Sequence, residues 1–293
     1  MLPAGAERPG MRHGLTTESL AGDLRALGIR PGELLLVHTS MRRLGFVRDG
    51  AAGVVAALRA VLGDTGTLVV PAFTPNNSDT SRLHRTLTAG MTSAEVGRYR
   101  AEMPPFNPAT TPSAGVGAVA EQVRRSPGAT RSVHPQTSFA ALGPLAGTLM
   151  AGHAPDCHFG ERSPLARLYE GRARLLLLGV GYQACSAFHL AEYRYLAQPP
   201  MRAYRCVISA DNRPRWWEYQ DVALHDRDFG VIGDAFDRAG LALTGHVGEA
   251  ECRLAPLASA VDFAAEWLRE HRAPISPDGQ TGGAIAVASR RPG

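Results

Sequence analysis

Residues 34–70 read LLLVHTSMRRLGFVRDGAAGVVAALRAVLGDTGTLVV, and this stretch decides the fold. Leu34, Leu35, Leu36 and Val37 form an apolar run with no polar alternation, the pattern of a strand buried on both faces. From Gly53 to Leu62 the apolar residues Val54, Val55, Leu58, Val61 and Leu62 recur at helical spacing. Gly66 breaks that helix, and Thr67 to Val70 is a second buried strand. Two such strands with a helix between them, in about 40 residues, predict a parallel pair with a crossover connection.

The same periodicities continue on either side. Residues 17–28 predict a helix capped by Thr17, with Leu20, Leu24 and Leu27 on one face and Gly28 and Pro31-Gly32 at its end. Residues 71–112 are rich in Pro, Asn, Thr and Ser and predict a long loop, the kind that is usually functional in a compact domain. A helix is expected from Gly115 to Arg125, a buried strand from Arg174 to Val180 and a helix from Ser186 to Leu196. Residues 203–210 and 215–220 predict a hairpin on an edge of the sheet, turning at Asp211 to Pro214. A helix at 230–239, a strand near 241–247 and a helix from Ala258 to Glu270 follow. The alternation implies an α/β fold of three layers, α/β/α, around a mixed and largely parallel sheet. Residues 1–272 are expected to form a single domain, and the Gly-, Pro- and Ser-rich tail 273–293 to be poorly ordered.

Composition narrows the function classes. Of the 293 residues 44% are hydrophobic and 20% charged, as in a globular protein. No lysine occurs, so every basic side chain is arginine, and Asp and Glu are interleaved with it to leave a net charge of +4. That interleaving argues against a nucleic-acid-binding face, which needs clustered positive charge. Cys157, Cys185, Cys206 and Cys252 form no CxxC pair, so they read as reduced thiols of a cytoplasmic protein. The first 13 residues hold no apolar run of signal-peptide length, and no stretch approaches the ~20 apolar residues of a membrane span.

Four segments could carry chemistry. His38 to Gly45 follows the first buried strand, at the carboxyl end where open α/β sheets place ligands. Thr110 to Ala118 contains Gly115 and Gly117 before a helix, and helix-start N–H groups can receive an anion or a carbonyl oxygen. The segment lacks the third glycine of a dinucleotide fingerprint and the GK[ST] of a P-loop. His134 precedes Pro135 in a polar loop, as an active-site or a loop-pinning histidine. In Phe188 to Arg194, His189 and Glu192 share a helix face, with Tyr193 one turn past His189. A carboxylate beside an imidazole holds its tautomer and raises its basicity, and the same spacing also fits a surface ion pair. The order HxxE lacks the second histidine of a zinc helix, so no metal is expected.

In order, these segments resemble the aminoglycoside 3-N-acetyltransferase family. The matching stretches are LLVHTSMRRLGFVRDG at 35–50, GTLVVPAFT at 66–74 and TPSAGVGAVAE at 111–121. SVHPQTSFAALGP at 132–144, ERSPLARLYEG at 161–171 and LLLLGVGYQACSAFHLAEYR at 175–194 extend the similarity over roughly residues 17–270. The resemblance implies acetyl-CoA as cosubstrate, the 3-amino group of a 2-deoxystreptamine antibiotic as acceptor, antibiotic resistance as the outcome, and direct transfer without an acyl-enzyme. It implies His189 as general base, Glu192 as its orienting carboxylate, and His134 as a second catalytic histidine. The pantetheine arm is implied along Ser40, Met41, Arg42, Leu44 and Gly45 and along Ser113, Gly115, Val116 and Gly117. Asp79, Glu161 and Tyr193 are the expected contacts to a cationic acceptor. The chain departs from the family pattern at Val116, Asn107, Arg42 and Arg43.

Other readings share parts of this pattern. A biosynthetic N-acyltransferase of the same fold would act on another amine metabolite, and a CoA-binding protein would bind without turnover. A monomer or a homodimer is compatible with the sequence, and neither nucleic acid nor membrane is an expected partner.

Overall fold

The computed structural model describes residues 14–211 and 213–272. Strands β1 (Leu34–Thr39) and β2 (Thr67–Pro71) flank helices α2 (Met41–Leu44) and α3 (Gly50–Leu62), after α1 (Thr17–Leu27). Helices α4 (Arg82–Leu87), α5 (Ser93–Ala101) and α6 (Ala118–Arg125) lead to strands β3 (Thr130–Arg131) and β4 (Phe139–Leu142). Helices α7 (Ala146–Met150) and α8 (Pro164–Glu170) precede β5 (Arg174–Leu178) and α9 (Ala187–Arg194). Then come β6 (Met201–Ala210), β7 (Arg213–Val222), α10 (Phe229–Arg238), β8 (Leu243–Val247), β9 (Ala250–Pro256) and α11 (Leu257–His271).

Seven strands form one mixed sheet in the order β3-β4-β2-β1-β5-β9-β8. The crossover predicted from residues 34–70 is present: β1 pairs with β2 in parallel, Leu35 opposite Leu68. β1 also pairs in parallel with β5, Val37 opposite Leu176. Parallel pairing stops at these three central strands. β4 runs antiparallel to β2, β3 to β4, β9 to β5 and β8 to β9, so the sheet is mixed but less parallel than expected.

The apolar run of β1 is explained by its burial on both faces. Leu34 and Leu36 enter one core with Phe139, Leu175, Leu177, Phe188 and the apolar side of α11. Leu35 and Val37 enter the other with Leu24, Leu58, Val61, Val119 and Leu176. Helices thus cover both faces, and the α/β/α layering follows from alternate side chains of one strand.

Three local differences from the sequence reading have physical causes. The first helix is capped by Thr16, which accepts from the Ser19 amide at 3.1 Å, rather than by Thr17. The loop 71–112 contains α4 and α5; α5 begins in a reciprocal capping box between Thr92 and Glu95. The helix expected from Gly115 begins at Ala118, because Gly115 and Gly117 hold φ of +77° and +88°.

The hairpin β6–β7 is not on the edge of the main sheet. It forms a separate two-stranded sheet, Tyr204 opposite Tyr219. The exposed edge β3 is two residues long and offers no ladder to a ten-residue strand. The hairpin instead buries Tyr204, Cys206 and Tyr219 in a small core of their own.

Candidate functional site

A cleft of about 600 Å3 opens at the carboxyl ends of β1, β2 and β5. This is the switch point of the sheet, since β1 has its two parallel neighbours on opposite sides. Thr39, Ser40, Met41 and Arg42 follow β1 into the cleft, Pro71 and Phe73 come from the end of β2, and Val180 and Gln183 follow β5. The Ser40 amide donates to the Leu178 carbonyl at 3.0 Å and ties two of these ends together. The Gly115–Gly117 turn closes one wall, held by the Ala114 amide on the Phe73 carbonyl at 2.8 Å. A Cβ on Gly117 would stand 3.3 Å from the Thr39 carbonyl oxygen, so the turn sits close against the β1 end.

A second cleft, of about 450 Å3, lies beyond Phe73, Gly115, Val116 and His189. Its other walls come from α4 (Arg82, Arg85), from the loops carrying Gln136, Thr137 and His158, and from Arg202 and Tyr204 of β6. His189 lines both clefts.

The geometry at His189 is defined on every side. Its Nδ1 lies 2.6 Å from Glu192 Oε2, three residues on along α9. A carboxylate only accepts, so Nδ1 donates, and in the neutral imidazole this tautomer puts the lone pair on Nε2. Phe159 stacks on one face of the imidazole at 4.6 Å and 8°, and Phe229 packs at 4.7 Å. The Glu192 side chain is 1% exposed. Its Oε1 accepts from Arg272 Nη1 at 2.5 Å and from the His225 amide at 3.0 Å. Arg272 also donates to Asp228 at 2.7 Å. This is a buried, fully hydrogen-bonded carboxylate, not the surface ion pair that the spacing also allowed.

His38, at the end of β1, lines the first cleft. Its Nε2 lies 3.1 Å from the Ser186 hydroxyl. Burial, with a smaller contribution from His189, pushes its pKa down to about 4, so it stays neutral at ordinary pH.

The sequence-derived site residues divide into three groups. Ser40, Met41, Arg42, Gly115, Val116 and Gly117 all line the first cleft, with His189. Leu44, Gly45 and Ser113 do not. Leu44 is fully buried in the core with α1 and α3. Gly45 turns with φ +87° against Glu249. The Ser113 hydroxyl donates to Glu121 at 2.6 Å, and Glu121 pairs with Arg124.

The third group is engaged by other partners in the fold. His134 has no exposed surface. Its Nδ1 accepts from the Gln136 and Thr137 amides at 3.1 and 3.0 Å, which turns the ring into a buried cluster with His153 and His158. Burial, then the two neighbouring imidazoles, hold its pKa well below the usual value, so it pins a loop and meets neither cleft. The Asp79 side chain is 2% exposed and ion-paired with Arg205, and Arg100 lies at 3.1 Å. Glu161 holds Arg194 in a two-bond pair at 2.7 and 2.9 Å, outside both clefts. Tyr193 donates to Asp221 Oδ2 at 2.7 Å; burial and that carboxylate push its pKa up.

Sequence reasoning missed a second imidazole–carboxylate pair. His158 lines the second cleft, with Nδ1 2.7 Å from Asp221 Oδ2 and Nε2 3.0 Å from the Tyr219 hydroxyl. Burial lowers the His158 pKa more than Asp221 raises it. Burial opposes the charge on Asp221, yet hydrogen bonds from His158 and Tyr193 outweigh it and keep its pKa below the usual carboxylate range. The partners lie 63 positions apart, so no local spacing signals them. Arg272, 80 positions from Glu192, was equally invisible.

Comparison with known proteins identifies the family. A family model described as aminoglycoside 3-N-acetyltransferase matches residues 36–269. The chain is 35% identical over 254 residues to the SPbeta prophage-derived aminoglycoside N(3')-acetyltransferase-like protein YokD of Bacillus subtilis, covering 86% of this chain and 92% of that one. The crystal structure of YokD superposes with a TM-score of 0.82 at 33% identity, over 88% of this chain and 94% of that one. Aminoglycoside N(3)-acetyltransferase VII of Streptomyces paromomycinus is 35% identical over 284 residues, 87% of this chain and 92% of its own. The structure of AAC-IIIb with CoASH superposes with a TM-score of 0.75 at 30% identity, over 87% of this chain and 97% of that one. This chain therefore belongs to the aminoglycoside 3-N-acetyltransferase family and is an acyltransferase.

Proposed function

We propose that the chain transfers an acetyl group from acetyl-CoA to a primary amine, with His189 as general base. The observation that carries this is the imidazole shared by two clefts, with Nδ1 held by a buried Glu192 and Nε2 without a hydrogen-bond partner among the described residues. The first cleft is the donor lobe. Its volume, its glycine turn and the amides at the start of α6 suit an extended thiol arm and an anion-bearing carrier, and a structural relative is described with CoASH. The second cleft is the acceptor lobe.

An ammonium has no lone pair to attack with, so it first loses its excess proton. The amine nitrogen then attacks the thioester carbonyl as His189 Nε2 removes a second proton, forming the C–N bond. Amides of the Gly115–Gly117 turn stabilise the developing oxyanion. Collapse breaks the C–S bond, and the thiolate takes the proton back from His189. Glu192 keeps the imidazole in the productive tautomer and stabilises its charged form.

The first acceptor to test is the 3-amino group of a 2-deoxystreptamine aminoglycoside, the substrate in the names of the relatives. A second class, an amine metabolite of different charge, is favoured by the acceptor lobe itself. Asp226 is the carboxylate among its lining residues, and it is ion-paired with Arg82. Thiol release from acetyl-CoA with a panel of aminoglycosides and simple amines tests the reaction. His189→Ala is expected to slow release at least about a hundredfold while calorimetry shows unchanged CoA binding. Release at a near wild-type rate in His189→Ala would overturn the role of this histidine.

A further inference from the structure

The acceptor lobe has a charge pattern that does not suit a polycation. Arg82, Arg85 and Arg202 line it, against the single acid Asp226. Arg82 is the partner of Asp226. Arg85 and Arg202 have no carboxylate partner among the described residues. Both instead donate to one acceptor, the Thr80 carbonyl oxygen: Arg85 through Nη1 at 2.9 Å and Arg202 through Nη2 at 2.9 Å.

Two guanidiniums converge here on one carbonyl oxygen with no carboxylate between them among the described residues, and an anion bound between them would offset their mutual repulsion. Each has five N–H donors and uses one here, so most of the donor capacity is unclaimed by described residues. The Tyr204 ring lies under Arg202, with the guanidinium carbon 5.0 Å from its centroid, and holds that side chain against the cleft wall. Crowding is also visible in Arg85, whose pKa is lowered by burial and by the neighbouring Arg202 and Arg82.

We infer that Arg85 and Arg202 form an oxyanion subsite, and that the acceptor is an amine whose scaffold also carries a phosphate, phosphonate or carboxylate group. This rests on the acetyl-transfer reading above and names its acceptor class. The anionic group docks on the two guanidiniums, and the amine at the other end of the scaffold reaches His189. The carboxylates that a polycationic antibiotic needs are elsewhere: Asp79 is neutralised by Arg205 and Arg100, and Glu161 is held by Arg194.

Two measurements separate this inference from the reaction it rests on. The first is binding, by calorimetry of inorganic phosphate and of glucosamine 6-phosphate to the protein saturated with CoA, so that the donor lobe is filled. The expected result is saturable binding that weakens at least about tenfold in Arg85→Gln/Arg202→Gln, the loss expected when a charge-assisted contact is removed. Unchanged binding in the double variant, or no binding to the wild type, would overturn the subsite. The second is thiol release with glucosamine against glucosamine 6-phosphate, and with an aminoglycoside. A kcat/KM about tenfold or more in favour of the phosphate-bearing amine, lost in the double variant through KM, supports the inference. Preference for the aminoglycoside, rising further in Arg85→Glu/Arg202→Glu, overturns it while leaving acetyl transfer intact. Variant-sensitive phosphate binding with no thiol release from any amine upholds the subsite and overturns the reaction.

Discussion

The two clefts that meet at His189 are built from different materials. The first is framed by strand ends after β1, β2 and β5 and a glycine turn pinned between them. The second draws on arginines from α4 and β6, and on rings from His158, Phe159 and Tyr204. A backbone cleft at a sheet switch point follows from the topology that forms the core, so it changes only if the fold changes. A side-chain cleft on a short helix and a separate hairpin can be rewritten residue by residue. The contrast teaches that a shared family name speaks most directly to the first cleft, and that charge in the second decides what is brought to His189.

Four measurements sharpen or break that contrast. His189 serves both clefts, so His189→Ala is expected to lower kcat about a hundred- to ten-thousand-fold, the usual range for a general base, with CoA affinity unchanged. A matching loss of CoA affinity would instead place the imidazole wholly in the first cleft. Arg272→Ala leaves Glu192 buried without its counter-ion; breaking a buried pair costs about 3–5 kcal/mol, read as a lower urea midpoint. A midpoint within error of the wild type would show that the His225 amide and His189 suffice.

Gly117→Ala tests the backbone cleft alone. A side chain at φ +88° and ψ 166°, a region that is essentially glycine-only, is strained by about 1–3 kcal/mol, and its Cβ crowds the Thr39 carbonyl. The expected outcome is a several-fold rise in KM for acetyl-CoA with KM for the amine unchanged; a rise confined to the amine would reverse the assignment of the clefts. The smallest effect concerns pH. Burial lowers the pKa of His38 and of His153 to about 4 from an ordinary value near 6.5, so the unfolded chain binds these protons first. Their contribution to stability is complete above about 6.5 and drains away as pH falls toward 4. Urea midpoints at pH 7.5 and 5.5 are expected to differ in that direction, and His153→Gln to reduce the difference.

What was legible in the sequence was local. The crossover at 34–70 is written in two apolar runs and one helical period, and β1 and α3 lie where these place them. The His189–Glu192 pair spans one helical turn, and the Gly115–Gly117 turn is visible as two glycines. The capping box at Thr92 and Glu95 was equally local and marked a helix inside a region that composition alone suggested was loop. The illegible parts depend on distant partners or on the path of a loop. Asp79 has the chemistry of a cation site until Arg205, 126 positions away, folds onto it. His134 stands in a polar loop, yet two amides within three residues turn its ring inward, and the cleft wall falls to His158. The parallel count of the sheet was overestimated because β3–β4 and β8–β9 are consecutive strands that pair antiparallel with each other, and β4 and β9 add antiparallel to β2 and β5.

Arg272, which closes the ring of contacts around Glu192, follows directly on the end of α11. During synthesis this guanidinium leaves the ribosome after every strand and helix that lines the two clefts. Because α11 also fills the core beneath β1 and β5, the helix that completes that core also carries in the counter-ion of Glu192. The electrostatics at His189 are therefore set by the last helix described.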